Sequence, residues 1–172
     1  MAVDFENLNV LVVADPLPLK ILLMPVLRTI GVNNILTTGN AAEGFDLFFR
    51  HSPDLVLADW YMALSNGIEL TKKIRRVSSF SKHRTPVILM TGDETAPSAM
   101  NQAQDAGATG LLLKPFSAED LIKLISITMS DTREFIENPG FIGPDRRKKI
   151  LLDHAGPLRR SNDQRGHVSP KR

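Results

Sequence analysis

Apolar residues in the first three quarters of the chain follow two alternating patterns. Leu8 to Val13, Leu55 to Leu57, Val87 to Met90 and Leu111 to Leu113 are short runs rich in Val, Ile and Leu, and Ile35-Leu36-Thr37-Thr38 is a weaker fifth. Each is too short for a free-standing helix and looks like a strand buried on both faces. Segments of helical length separate them: Pro18 to Ile30, Ala41 to Arg50, Gly67 to Ser78, Pro97 to Ala106, and Ala118 to Thr132. Ser117-Ala118-Glu119-Asp120 announces the last of these as a capping box. Pro25 lies well inside the first and lacks the amide that would reach the residue 21 carbonyl, so a bend is expected there. Five strands alternating with five helices predict a doubly wound α/β fold: a parallel five-stranded sheet, right-handed crossovers, and helices on both faces.

Composition narrows the class. The chain has no cysteine, which excludes disulfides, thiolate zinc sites and a cysteine nucleophile, and suits a reducing compartment. The N-terminus carries acids and lacks the basic-then-apolar order of a secretory signal. No apolar run approaches the roughly 18 residues that span a bilayer. A cytoplasmic protein is expected, with no membrane partner. The net charge of +2 hides an asymmetry. From Arg133 onward there are ten Lys/Arg against five Asp/Glu, which leaves eleven basic and fourteen acidic residues before it. The expected division is therefore residues 1–132 as the folded domain and residues 133–172 as a basic, largely irregular tail.

The strand ends carry the candidate chemistry. In such sheets, function sits at the carboxyl ends of the strands. The first strand ends in Ala14-Asp15-Pro16, the third in Asp59-Trp60-Tyr61, the fourth in Thr91-Gly92-Asp93 and the fifth in Lys114-Pro115-Phe116. Asp15, Asp59, Thr91 and Lys114 would converge on one edge. Paired carboxylates repel, and a hard divalent cation such as magnesium relieves that repulsion. A lysine can balance a phosphoryl group, and a threonine hydroxyl can bond one of its oxygens.

Val10-Leu11-Val12-Val13-Ala14-Asp15, Pro53-Asp54-Leu55-Val56-Leu57-Ala58-Asp59-Trp60, Gly67-Ile68-Glu69-Leu70, Pro86-Val87-Ile88-Leu89-Met90-Thr91-Gly92 and the stretch from Gly107 to Phe116 resemble, in order and spacing, the receiver domains of two-component response regulators. The resemblance covers roughly residues 7 to 130 and implies the flavodoxin-like receiver fold. It implies that Asp59 is the phosphoacceptor, taking its phosphoryl group from a histidine kinase or histidine phosphotransfer protein. It makes Asp15, Asp59 and the Tyr61 backbone carbonyl the magnesium ligands, Thr91 the switch hydroxyl, and Lys114 the partner of Asp59 or its phosphate. A cis Lys114–Pro115 peptide is also implied. On this reading the chain is a signalling domain and not an enzyme, beyond its own phosphotransfer and dephosphorylation.

Several positions depart from the family pattern. Ala14 stands where a second acid is usual, which predicts weak magnesium binding. Leu111 replaces the aromatic residue whose ring rotates on activation. Ala63 replaces a common proline, and Tyr61 is bulky enough to hinder water. Trp60 is expected to pack beside the site, and His51, His83, His154 and His167 to lie on the surface. Gly107-Ala108-Thr109-Gly110 leads into a strand and reads as a turn, not as a phosphate loop.

In the tail, Asn138 to Asp145 is rich in turn residues and shows little periodicity. Arg146-Arg147-Lys148-Lys149, the patch Ile150-Leu151-Leu152, and Arg159-Arg160 follow. Two readings of it stand: a solvated basic tail, or a segment that docks on the domain or on a partner. It is too poor in apolar positions to build a separate output domain. The leading function is a stand-alone receiver that relays phosphoryl signals by protein–protein contact. The homodimer surface implied by the resemblance is the face of the fourth helix, fifth strand and fifth helix. Two alternatives are a binding module whose output is independent of phosphate, suggested by Ala14 and Leu111, and a regulator that contacts nucleic acid through its basic tail.

Overall fold

The computed structural model describes residues 3–14, 17–62, 65–78, 82–92, 96–147 and 151–152. The elements run β1 (Asn9–Val13), α1 (Leu17–Thr29), β2 (Asn34–Thr38), α2 (Ala41–His51), β3 (Leu55–Asp59), β4 (Tyr61–Met62), β5 (Ser65–Asn66), α3 (Gly67–Arg75), a 3-10 turn (Lys82–Arg84), β6 (Val87–Thr91), α4 (Ala96–Asp105), β7 (Gly110–Leu113), α5 (Ala118–Met129), β8 (Phe135–Asn138), β9 (Phe141–Pro144) and β10 (Leu151–Leu152). All five strands expected from the apolar runs pair in parallel, in the order β7-β6-β3-β1-β2. This is the doubly wound α/β architecture expected.

Successive residues of each strand face opposite sides of the sheet, and both sides are covered. Leu11, Val13, Val56, Ala58 and Leu89 pack with Phe48, Leu70, Ile74 and Met100, from α2, α3 and α4. Val10, Val12, Leu55, Leu57 and Met90 pack with Leu23, Leu27, Leu121 and Ile125, from α1 and α5. Every residue of β3 and β6 is buried.

Local chemistry sets the helix starts. The Asn40 side chain accepts from the Glu43 amide at the head of α2. Ser117 and Asp120 form the capping box expected at the head of α5. Pro25 lies inside α1 as expected, and the Thr29 hydroxyl donates to its carbonyl at 2.8 Å. Two helices stop short of their apolar patterns. α3 ends at Arg75 and α5 at Met129.

The sheet has a sixth strand that the apolar pattern does not predict: β10 pairs in parallel with the outer edge of β7, Leu151 beside Leu111 and Leu152 beside Leu112. The stretch from Phe135 to Pro144 also differs from the irregular segment expected there. β8 and β9 form an antiparallel hairpin with Phe135 opposite Pro144 and Asn138 opposite Phe141. At its turn the Gly140 amide donates to the Asn138 side chain at 3.0 Å.

The hairpin packs on the end of the sheet where β6 and β7 begin. A Cβ on Gly143 would lie 2.7 Å from the Gly107 Cα, and one on Gly107 would lie 2.3 Å from the Ile142 carbonyl oxygen. Two backbones therefore meet where only glycine fits, and Gly107 also holds φ at +85°.

Arg75 sits beneath this contact. Its side chain is buried and donates to the carbonyls of Gly107 (2.8 Å), His83 (2.7 Å) and Thr85 (2.8 Å), with the Phe135 ring centroid 5.4 Å from the guanidinium carbon. Burial pushes the guanidinium down to about 9, still protonated at neutral pH. His83 is buried and not on the surface as expected: its Nε2 lies 2.9 Å from Glu137 of the hairpin, and its ring centroid is 5.5 Å from that of Phe135. His51 is exposed as expected; His154 and His167 lie outside the described residues.

Candidate functional site

The site is built from the ends of three adjacent strands. Asp59 is the last residue of β3, Thr91 the last of β6, and Lys114 follows β7. β6 lies between the other two strands, with Met90 opposite Asp59 and Leu113 opposite Thr91. The backbone continues the ladder past the strand ends: the Trp60 amide donates to the Met90 carbonyl at 2.8 Å, and the Lys114 amide to the Thr91 carbonyl at 2.7 Å. This stagger brings two side chains 55 positions apart into contact, with Lys114 Nζ 2.7 Å from Asp59 Oδ1.

The Asp59 side chain is 4% exposed and that of Lys114 is 28% exposed. A carboxylate taken out of water needs a partner charge or hydrogen bonds to stay ionised. The lysine supplies that charge while keeping one side open to solvent. Thr91 is buried at the same edge. The Lys114–Pro115 peptide is cis, as the resemblance implies.

The segment after Asp59 is pinned by an Asn-Gly pair. The Asn66 side chain accepts from the Ile68 amide at 2.7 Å and caps α3. The Gly67 amide donates to the Trp60 carbonyl at 3.0 Å. A Cβ on Gly67 would stand 2.4 Å from the Asp59 carbonyl oxygen, so any side chain there would push on the backbone of the acid itself. The sequence pattern marks Gly67 only as a helix start. Its role in seating Asp59 becomes visible once the two backbones are placed together.

The remaining expected site residues divide. Trp60 is buried and packs in the core, as expected. The Tyr61 side chain is exposed beside it, with ring centroids 6.1 Å apart. Ala14 is fully buried and contributes no polar side-chain atom at the end of β1. Leu111 is 1% exposed and locked in the core. Asp15 and Ala63 lie outside the described residues. The structure thus brings together Asp59 and Lys114, with Thr91 on the strand between them.

A parallel sheet with a buried aspartate, a threonine and a lysine at three neighbouring strand ends places this chain in the class of doubly wound α/β domains with a charged strand-end cleft. The match to the response regulator receiver domain family runs over residues 10–126, and the chain belongs to that family. It is 33% identical over 126 residues to the transcriptional regulatory protein PdtaR of Mycobacterium tuberculosis, covering 73% of this chain and 58% of PdtaR. The chain therefore spans a little over half the length of that relative. The chemotaxis response regulator CheY4 of Vibrio cholerae superposes with a TM-score of 0.64 at 26% identity, covering 70% of this chain and 98% of CheY4. The receiver domain of the sensor histidine kinase PA1611 from Pseudomonas aeruginosa, with a magnesium ion in its active-site cleft, superposes at 0.64 with 22% identity, covering 72% of this chain and 98% of that domain. Receiver domains are signalling domains of two-component systems. Among the described residues, no helix is long and apolar enough to cross a membrane.

Proposed function

We propose that Asp59 accepts a phosphoryl group from a histidine kinase or histidine phosphotransfer protein, and that the chain relays the signal in the cytoplasm as a stand-alone receiver through protein–protein contact. The observation that carries this reading is the buried Asp59 carboxylate with the Lys114 ammonium 2.7 Å away at the open edge of the sheet. An Asp59 carboxylate oxygen forms the new O–P bond as the N–P bond of the phosphohistidine breaks and the imidazole leaves. Lys114 offsets the charge gained at Asp59, and the Thr91 hydroxyl, at the adjacent strand end, bonds a phosphoryl oxygen. Such transfer rests on positioning and charge neutralisation.

Hard oxygen donors at this edge suit a magnesium ion. Asp15, Asp59 and the Tyr61 backbone carbonyl would hold it, and when bound it neutralises charge on the phosphoryl oxygens. Ala14, buried and without an oxygen in its side chain, leaves the second acid unreplaced. Loss of an outer partner of this kind lowers metal affinity by about 10- to 100-fold. Tyr61, two residues after Asp59 and exposed, is the side chain whose bulk would slow water attack on the phosphate.

Acetyl phosphate with saturating magnesium should convert the chain to a slower band on a phosphate-affinity gel, and Asp59→Asn should not shift. An unshifted wild-type band, or a shift that persists in Asp59→Asn, would sink the proposal. A second reading, a module whose output is independent of phosphate, is favoured by Leu111, since a core leucine offers no ring to rotate. It predicts that Asp59→Asn leaves signalling intact. The reading by protein contact is preferred over nucleic acid because Arg146, first of the basic cluster, is engaged within the chain by Asp105 and by the Phe141 ring 4.2 Å away.

A further inference from the structure

We propose that the groove between α2 and α3 is a docking site for an acidic amphipathic helix of a partner protein. The groove has a volume of about 680 Å³ and is lined by Phe45, Phe49, Lys73, Arg76, Val77 and Ser78. It lies away from the strand-end site, and none of these residues takes part in that site.

The helical repeat explains how it forms. Phe45, Phe48 and Phe49 fall at i, i+3 and i+4 on α2, so all three lie near one face. Phe48 is fully buried, Phe45 is half-buried, and Phe49 is left 54% exposed. On the α3 side, Lys73 and Val77 are one turn apart, with Val77 half-buried against the core. Two ridges with an apolar floor between them leave the space that a third helix's side chains fill in ordinary helix packing.

Phe49 is also held in place. Lys82 Nζ donates to the Phe49 carbonyl at 2.6 Å and lies 4.4 Å from the Phe49 ring centroid. A cation over one face restricts the ring, which lowers the rotational freedom it loses on binding. An exposed aromatic beside an apolar floor is the usual mark of a contact surface.

Charge decides the occupant. Lys73 and Arg76 are exposed at the rim, where Glu69 feels both at a distance and pairs directly with Lys72 instead. Lys82 adds positive charge at the Phe49 end, and no carboxylate is among the lining residues described. The complement is an aliphatic stripe flanked by glutamate or aspartate, as helix-in-groove recognition requires. Single-stranded nucleic acid fits less well, because base stacking needs a free ring face and Lys82 covers one face of Phe49.

The full chain would be titrated with a fluorescein-labelled synthetic helix carrying leucine at every third and fourth position, with glutamate and alanine elsewhere. Saturable binding is expected by anisotropy. Phe49→Ala and the pair Lys73→Glu/Arg76→Glu should each weaken it about tenfold or more, equivalent to ~1.4 kcal/mol. A peptide with lysine in place of glutamate should not bind. All three positions are exposed, so both variants should keep the wild-type thermal midpoint and the wild-type response to acetyl phosphate. The proposal is overturned by absent binding or by equal affinity in both variants. It is also overturned if a thymidine oligonucleotide binds more tightly than the peptide and with the same dependence on Phe49.

Discussion

Asp59 is an acid almost without solvent, and its stability there depends on neighbours contributed by distant parts of the chain. Lys114 is one of them, at 2.7 Å. Removing it leaves a buried carboxylate short of its cation, the costly half of a broken pair. Lys114→Ala is therefore expected to lower stability by about 2 kcal/mol, less than a fully buried pair would lose because the lysine keeps solvent access. It should also reduce acetyl phosphate labelling of Asp59. Urea denaturation and phosphate-affinity gels check the two effects. Gly67→Ala tests the seating of the same acid. A methyl group 2.4 Å from the Asp59 carbonyl oxygen has no flexible neighbour to displace. A loss of ~1–3 kcal/mol is expected, together with slower labelling. Wild-type stability and labelling in that variant would show that the α3 entry is not constrained as described.

At the level of elements, the β8–β9 hairpin is joined to the domain through charged and aromatic contacts, and one of them titrates. Glu137 is held below the usual carboxylate range by hydrogen bonds from His83 first and Arg84 second. A depressed acid contributes stability above its unfolded pKa and loses it as pH falls through the folded one. Hairpin docking should therefore weaken on acidification through and below the ordinary glutamate range, and Glu137→Gln should remove that dependence. Amide hydrogen exchange across residues 135–144, measured from neutral pH down to that range, reads it directly. Equal protection in the wild type and Glu137→Gln at every pH would refute the coupling.

How much of these elements was legible in the sequence follows from the range of the forces that set them. The core strands announce themselves because burial on both faces demands unbroken apolar runs. The capping box at Ser117 is also local. The hairpin is not, since Phe135-Ile136-Glu137-Asn138 has no strand alternation strong enough to stand alone. It forms because Arg75, His83 and Gly107, remote in the chain, present it with a surface. The burial of His83 is a consequence of the same contact, and no spacing rule foretells it.

The molecule as a whole joins two regions of opposite charge more closely than composition suggests. The acidic part up to residue 132 and the first residues of the basic part share one packed base. Arg133 donates to the Thr109 carbonyl at 2.7 Å, and Phe141 is buried. Truncation after residue 132 would uncover Arg75 on its hairpin side. It is expected to destabilise the receiver by roughly 3 kcal/mol, the scale of losing a buried charged network's partners. At ~3–4 °C per kcal/mol that is about 10 °C in the thermal midpoint. An unchanged midpoint would show that the hairpin rests on the domain without supporting it.

The sequence by itself determined the fold class, the order of the five main strands' apolar runs and the residues at their ends. Those depend on burial periodicity and on the rule that function gathers at carboxyl ends of parallel strands. Tertiary structure alone decided that Asp59 meets Lys114 at hydrogen-bonding distance, that Gly67 must lack a side chain, and that the tail's first residues fold back as a hairpin and its Leu151-Leu152 as a sixth strand. Each of these is a contact between segments far apart in the chain. Such contacts depend on how the strands stagger and on which backbones meet, and no local pattern encodes either.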